Sequence, residues 1–204
     1  ADNLSYKDDF KNDPEVYLYM SICLFEISKI DDPDYKEDYP NAYRDAVKHA
    51  IKCKQKDKKK TFCSQNTEYL GTLKMTGIES AKELYNQKNW KYSSRILKEL
   101  EKLDPDDLHI QIIRQVCDII SGNPAMLDEF KKNLNKIKEI YKSGENLPDR
   151  STKNQLVDAF MIYSNHLIET KKTEEAKSLL STAVEILPDD GFIKIQYNMV
   201  NGIK

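Results

Sequence analysis

Lys172–Pro188, KTEEAKSLLSTAVEILP, can be laid residue for residue on Asn89–Pro105, NWKYSSRILKELEKLDP. Each stretch carries a small residue (Ala176, Ser93) and a leucine four places on (Leu180, Leu97). An apolar residue follows three places later (Ala183, Leu100), and proline closes both (Pro188, Pro105). Spacings of three and four put these side chains on one face of a helix, and proline stops it. A pattern that recurs within one chain marks a repeat architecture.

Working outward, the same periodicity fills the rest of the chain. Asp13-Pro14 can cap and open a first helix, with Val16, Met20, Cys23, Leu24 and Ile27 recurring to about Ile30. Residues 31–39, acidic and holding Pro33, read as a loop. Pro40 opens a second helix through Tyr43, Ala46, Val47, Ala50 and Ile51, which dissolves into lysines near Lys58. A third runs from about Ser64 to Gln87, with Gly71 and Gly77 as places where it can break. Asn89–Leu103 is the fourth and Asp106–Ser121 the fifth. Gly122-Asn123-Pro124 separates that from a sixth carrying Leu127, Phe130, Leu134, Ile137 and Tyr141. After a loop at Gly144–Arg150 come helices over Thr152–Thr170 and Thr173–Leu187. A short one capped by Asp190 ends the chain, with Lys194, Gln196, Asn198 and Asn201 expected to face water. No stretch alternates with period two, so the expected fold is all-α.

Composition agrees. Charged residues make up 32% of the 204 and apolar ones 39%, with only 6 Gly and 7 Pro, a mixture suited to long solvated helices. No apolar run is long enough for a transmembrane helix. The net charge of −2 exerts no global pull on nucleic acid or anionic membrane. Locally, residues 1–39 hold 4 basic and 11 acidic side chains, a balance of −7. Residues 44–60 hold 8 basic against Asp45 and Asp57, a balance of +6. The plain expectation is a helix pair whose charges offset each other. A basic docking surface over Lys48–Lys60, for an acidic partner or nucleic acid, is the weaker one, because the aromatic interleaving of single-strand binders is missing.

Catalytic signatures are sparse. His49, His109 and His166 fall on different expected helices, outside any HExxH arrangement. His49, Cys53 and Cys63 together make too thin a set for zinc, which takes three or four ligands. Asp31-Asp32-Pro33-Asp34 lacks the glycine and closing glutamate of a calcium loop. Phosphate-loop, GxSxG and dinucleotide motifs do not occur. No enzyme activity, cofactor or metal is expected. Four scattered cysteines (Cys23, Cys53, Cys63, Cys117) fit buried thiols, and a Cys53–Cys63 bridge stays open in an oxidising compartment. Asn3-Leu4-Ser5 matches a glycosylation sequon. The opening Ala1-Asp2, without methionine, leans the expectation toward an exported, periplasmic or cell-envelope protein; a cytoplasmic one is the alternative.

Paired helices with recurrent small and large residues resemble the tetratricopeptide repeat family, whose unit is 34 residues. In 157–190, Phe160 takes the family's tryptophan place, Ser164 and Ala176 its small places, and Leu167, Leu180 and Ala183 the rest of its packing set. Tyr163 stands where leucine is usual. In 74–107, Ala81, Leu84, Ser93 and Leu97 match, while Gly77, Ser80 and Leu100 depart. Pro105 and Pro188 lie 83 residues apart, about 15 more than two units need, so the pair between them is irregular. The resemblance implies one domain over 1–204: a right-handed helical solenoid with pairs at about 14–57, 64–105, 106–143 and 152–188 and a capping helix at 190–202. It further implies a non-enzymatic protein- or peptide-binding scaffold, with contacts on a concave surface lined by the first helix of each pair. The family's contact places are Met75, Ile78, Lys82 and Tyr85, then Asp158, Met161, Asn165 and Ile168. Of these, Lys82, Tyr85, Asp158, Met161 and Asn165 are the candidate partner-binding residues, Ile78 and Ile168 being better suited to packing. Self-assembly through the last helix or the irregular first pair is the alternative role.

Overall fold

The computed structural model describes residues 11–144 and 150–203. The sequon at Asn3 and most of the expected Gly144–Arg150 loop lie outside them. Among the described residues the chain is all-α, with eleven α-helices, one 3-10 turn and no strand. They are α1 Pro14–Ser28, α2 Pro33–Asp38, α3 Ala42–Lys56, α4 Thr61–Gln65, α5 Thr67–Asn86 and α6 Trp90–Leu103. Then come α7 Leu108–Ile120, the 3-10 turn Pro124–Met126, α8 Leu127–Ser143, α9 Arg150–Glu169, α10 Thr173–Ile186 and α11 Gly191–Asn201. Two units form: one from residues up to Ser80 with Glu99–Pro105, the other from Ala81–Lys98 with Asp106 onward.

Local chemistry sets the helix ends. Asp13 caps α1, accepting the Glu15 N–H at 2.9 Å, with Pro14 at the first helical position. Asp107 and Asp190 do the same for α7 and α11. The same device corrects the expected loop at 31–39. Asp32 accepts the Asp34 N–H at 2.9 Å ahead of Pro33, so capping alone winds α2, none of whose side chains is buried. Gly71 and Gly77 leave α5 unbroken. A separate turn of helix, α4, precedes it instead, because the Asp57 carboxylate accepts the N–H groups of Thr61 and Cys63 at 3.0 and 2.8 Å.

In the first unit, α1 lies along α3. Ala46 and Ala50 are fully buried and bring the helices close. There the Ser21 hydroxyl donates to the Ala46 carbonyl at 2.7 Å. Its one proton being spent, Ser21 accepts from the Tyr69 hydroxyl at 2.6 Å. Phe25 meets the Tyr69 ring edge-on at 5.9 Å, and the Tyr43 hydroxyl donates to the Leu73 carbonyl at 2.9 Å. That hydroxyl occupies the space a side chain would need at Gly77, where an added Cβ would lie 2.2 Å from it. Burial pushes the Tyr69 phenol up to about 12.

In the second unit the helices pair and stack. α7 packs on α8 and α9 on α10; α7 also lies beside α9, α9 beside α11, and α8 beside α10. Ser164, Ala176 and Ala183 are fully buried where α9 and α10 meet, and Phe160, Leu167 and Leu180 fill the space around them. Ser93 and Leu97 of the matching stretch are buried as well. Each such leucine contributes about 2 kcal/mol.

The last helix departs from expectation. Gln196 does not face water but is buried against the helices beneath. Instead Phe192, Ile195 and Met199 are 70%, 61% and 70% exposed. Spacing of three and four puts Ile193, Gln196, Tyr197 and Val200 on the inner face, which rotates these three outward.

Candidate functional site

The end of α5 carries Lys82 and Tyr85 three residues apart, and α9 carries Asp158, Met161 and Asn165 at helical spacing along one face. All five belong to the second unit. Three of them converge. Lys82 Nζ lies 2.7 Å from Asp158 Oδ2, and the Tyr85 hydroxyl donates to the same oxygen at 2.6 Å. Just past the end of α5, Lys88 Nζ reaches Glu169 Oε1, at the end of α9, at 3.3 Å.

Burial divides their roles. Tyr85 is 5% exposed, and burial first, then the Asp158 carboxylate, pushes its phenol well above the ordinary tyrosine range. It is therefore a fixed neutral donor. A hydrogen bond to a charged acceptor of this kind contributes about 1.5–3 kcal/mol. The Lys82 side chain is 47% exposed, so its ion pair contributes no more than about 1 kcal/mol and can be exchanged at small cost. Both bonds fall on Oδ2, leaving Asp158 Oδ1 to receive another donor.

Asn165 is held differently. Its Oδ1 accepts from the buried Gln196 amide of α11 at 2.7 Å. Met161, half-buried, stands between Asp158 and Asn165 on the same helical face. Ile78 is buried, as packing requires, whereas Ile168 is 37% exposed. Met75 is half-buried.

A polar set on α7 had no counterpart among the sequence candidates. Arg114 Nη1 donates to Asp118 Oδ2 at 2.6 Å, and the Ser94 hydroxyl donates to the other Asp118 oxygen. Asn133 Nδ2 donates to Gln111 Oε1 at 2.9 Å. Gln115 is fully buried, and neither end of its amide has a partner among the described residues. The only sequence signal was polar residues inside the apolar run Leu108–Ile120, which periodicity would turn outward.

In the first unit half of the eight basic side chains of 44–60 make contacts within the chain. Lys48 pairs with Asp45 at 2.6 Å, Lys54 Nζ donates to the Leu103 carbonyl at 2.6 Å and Lys56 Nζ to Asn12 Oδ1 at 2.8 Å. Lys52 lies 5.5 Å from the Tyr17 ring centre. The Cys53 and Cys63 thiols touch, and both are free. Burial, with the neighbouring thiol behind it, pushes Cys53 up to about 12, which makes it a poor nucleophile. His49 stacks on Tyr17 at 6.0 Å.

Among the described residues no three His, Cys, Asp or Glu side chains gather as a metal set, and no helix is long and apolar enough to cross a membrane. The Lys82–Tyr85–Asp158 cluster, with Met161 and Asn165 beside it, is the best-formed polar surface that the sequence candidates share. Comparisons with protein-family models, with curated proteins and with solved structures each return no match to the chain.

Proposed function

We propose that the protein is a non-enzymatic binding module of tetratricopeptide-like build, taking a protein or peptide segment across the first helices of its pairs. The observation that carries this reading is the order of neighbours in the second unit. First helices lie beside first helices (α7, α9, then α11) and second beside second (α8, α10). Two layers result, as stacked helix pairs require.

The layer holding α9 presents Asp158, Met161 and Asn165 in a row. Asp158 keeps one oxygen for an incoming N–H or ammonium, and Lys82 can swing from its carboxylate to a partner's at little cost. Met161 supplies an adaptable apolar contact. Tyr85 holds the carboxylate in place throughout. Such a surface suits an extended segment offering both backbone N–H groups and charge.

The test is selection of peptides from a random display library on the purified chain, followed by hydrogen exchange of the complex. Protection confined to Lys82–Tyr85 and Asp158–Asn165, with at least tenfold weaker binding by Asp158→Asn, is the expected result. Failure to select any peptide, or protection that avoids α9, would overturn the reading.

A further inference from the structure

The last helix has three faces, and only two are accounted for. Ile193, Gln196, Tyr197 and Val200 pack inward. Lys194, Asn198 and Asn201 form an exposed polar strip. The third face is apolar and open: Phe192 at 70% exposure, Ile195 at 61%, Met199 at 70%, then Ile203 at 52% just past the helix. Ile203 is held in line by the helix end itself. Gly202, at φ +68°, turns the chain, and the Ile203 N–H donates to the Asn198 carbonyl at 2.9 Å. Scattered exposed apolar residues need no explanation, but a helix apolar on two faces is built to be covered on both.

We infer that this stripe is the self-association surface of the protein, two copies packing α11 against α11 antiparallel across a two-fold axis.

Three features select a second copy. The stripe is almost symmetric about its midpoint between residues 197 and 198. Reversing one helix on the other therefore sets Phe192 against the Ile203 position and Ile195 against the Met199 position, large against large throughout. Such self-complementarity is what a two-fold contact demands. Charge favours the same orientation. Lys194 is the sole charged residue within Gly191–Asn201. A parallel pairing would set its two copies side by side, whereas the antiparallel one separates them by about 10 Å along the axis and opposes the two helix dipoles favourably. The area suffices for weak association. At these exposures each copy offers on the order of 450 Å², and two copies bury on the order of 900 Å², the size of a weak, transient contact. The stripe shares no residue with the Lys82–Tyr85–Asp158 cluster, so substitutions in one leave the residues of the other in place and the two readings are scored separately.

Sedimentation equilibrium of the 204-residue chain from about 5 to about 500 µM tests this, a range chosen because a small contact is expected to be weak. The apparent mass should rise from 23.7 kDa toward twice that value. The Phe192→Asp/Met199→Asp double variant should stay monomeric across the range with an unchanged thermal transition, both side chains being mostly in water. Orientation is tested by complementation. Ile195→Lys and Met199→Glu should each be monomeric alone and should associate when mixed, because only the antiparallel contact brings position 195 of one copy to position 199 of the other. A wild-type chain that stays monomeric at the highest concentration, as it would if another protein is what covers the stripe, overturns the inference. So does a double variant that still dimerises, or a mixture that does not associate.

Discussion

In the first unit Ser21 donates to the Ala46 carbonyl and accepts from the Tyr69 hydroxyl, while Tyr43 reaches the Leu73 carbonyl over Gly77. In the second, fully buried Ala176, Ala183 and Ser164 let α9 and α10 close on each other, and Phe160, Leu167 and Leu180 fill what remains. Both are helical, but the first carries polar contacts between its helices at a few hydroxyls and rings, whereas small and large buried side chains fill the packing of α9 on α10. Packing of the second kind needs only size and period, whereas the hydroxyl contacts depend on particular residues at particular places.

The strongest challenge to this contrast is Phe160→Ala. A fully buried aromatic at the centre of the layered core should cost about 3–5 kcal/mol in denaturant unfolding. A loss below about 1 kcal/mol would mean the layers collapse readily around the gap. Next, Ser21→Ala strips two hydrogen bonds from the first unit and leaves the half-buried Tyr69 hydroxyl and the buried Ala46 carbonyl without Ser21. About 2 kcal/mol should be lost, and a neutral result would deny the hydroxyls their fastening role.

A smaller effect follows from alkali. The Tyr69 phenol stands at about 12 in the folded chain against 10.0 for an unperturbed tyrosine. Its contribution is thus complete below pH 10 and is lost as pH rises toward 12. Discounted for the partial exposure of the ring, it amounts to about 1 kcal/mol. Tyr69→Phe should flatten the decline of stability over that window, and an unchanged slope would show that Tyr69 does not titrate with unfolding. The smallest effects should have opposite signs within one helix. Gly71→Ala meets nothing within 4 Å and should stabilise α5 by about 0.5–1 kcal/mol. At Gly77 the same change drives Tyr43 off the Leu73 carbonyl and should cancel or reverse that gain. Equal gains at both sites would remove the reason given for Gly77.

Local sequence rules read helix ends best where a side chain caps its own backbone. Asp13 and Asp190 behave in this way, whereas Asp107, which caps α7, was read as lying inside that helix. The same rule, applied to Asp32-Pro33, would have found α2; the density of acidic residues masked it as a loop. Of the candidate contacts, Lys82, Tyr85 and Asp158 were legible as helix-face positions, yet not as one cluster, because residues more than seventy apart meet only through packing. Gln196 was read as solvated because glutamine prefers water. A single acceptor, the Asn165 side-chain Oδ1, offsets its burial.

The sequence by itself determined the longer helices, the caps at Asp13 and Asp190, and the face that Ser93, Leu97, Ala176, Leu180 and Ala183 turn to the core, since these follow from dihedral preference and a period of 3.6 residues. Only the tertiary structure decided that Asp158 would gather Lys82 and Tyr85, and that the last helix would turn Phe192, Ile195 and Met199 to solvent. Both outcomes depend on how a helix is rotated about its own axis when it docks. That angle is set by the shape of the surface receiving it, which no local pattern encodes.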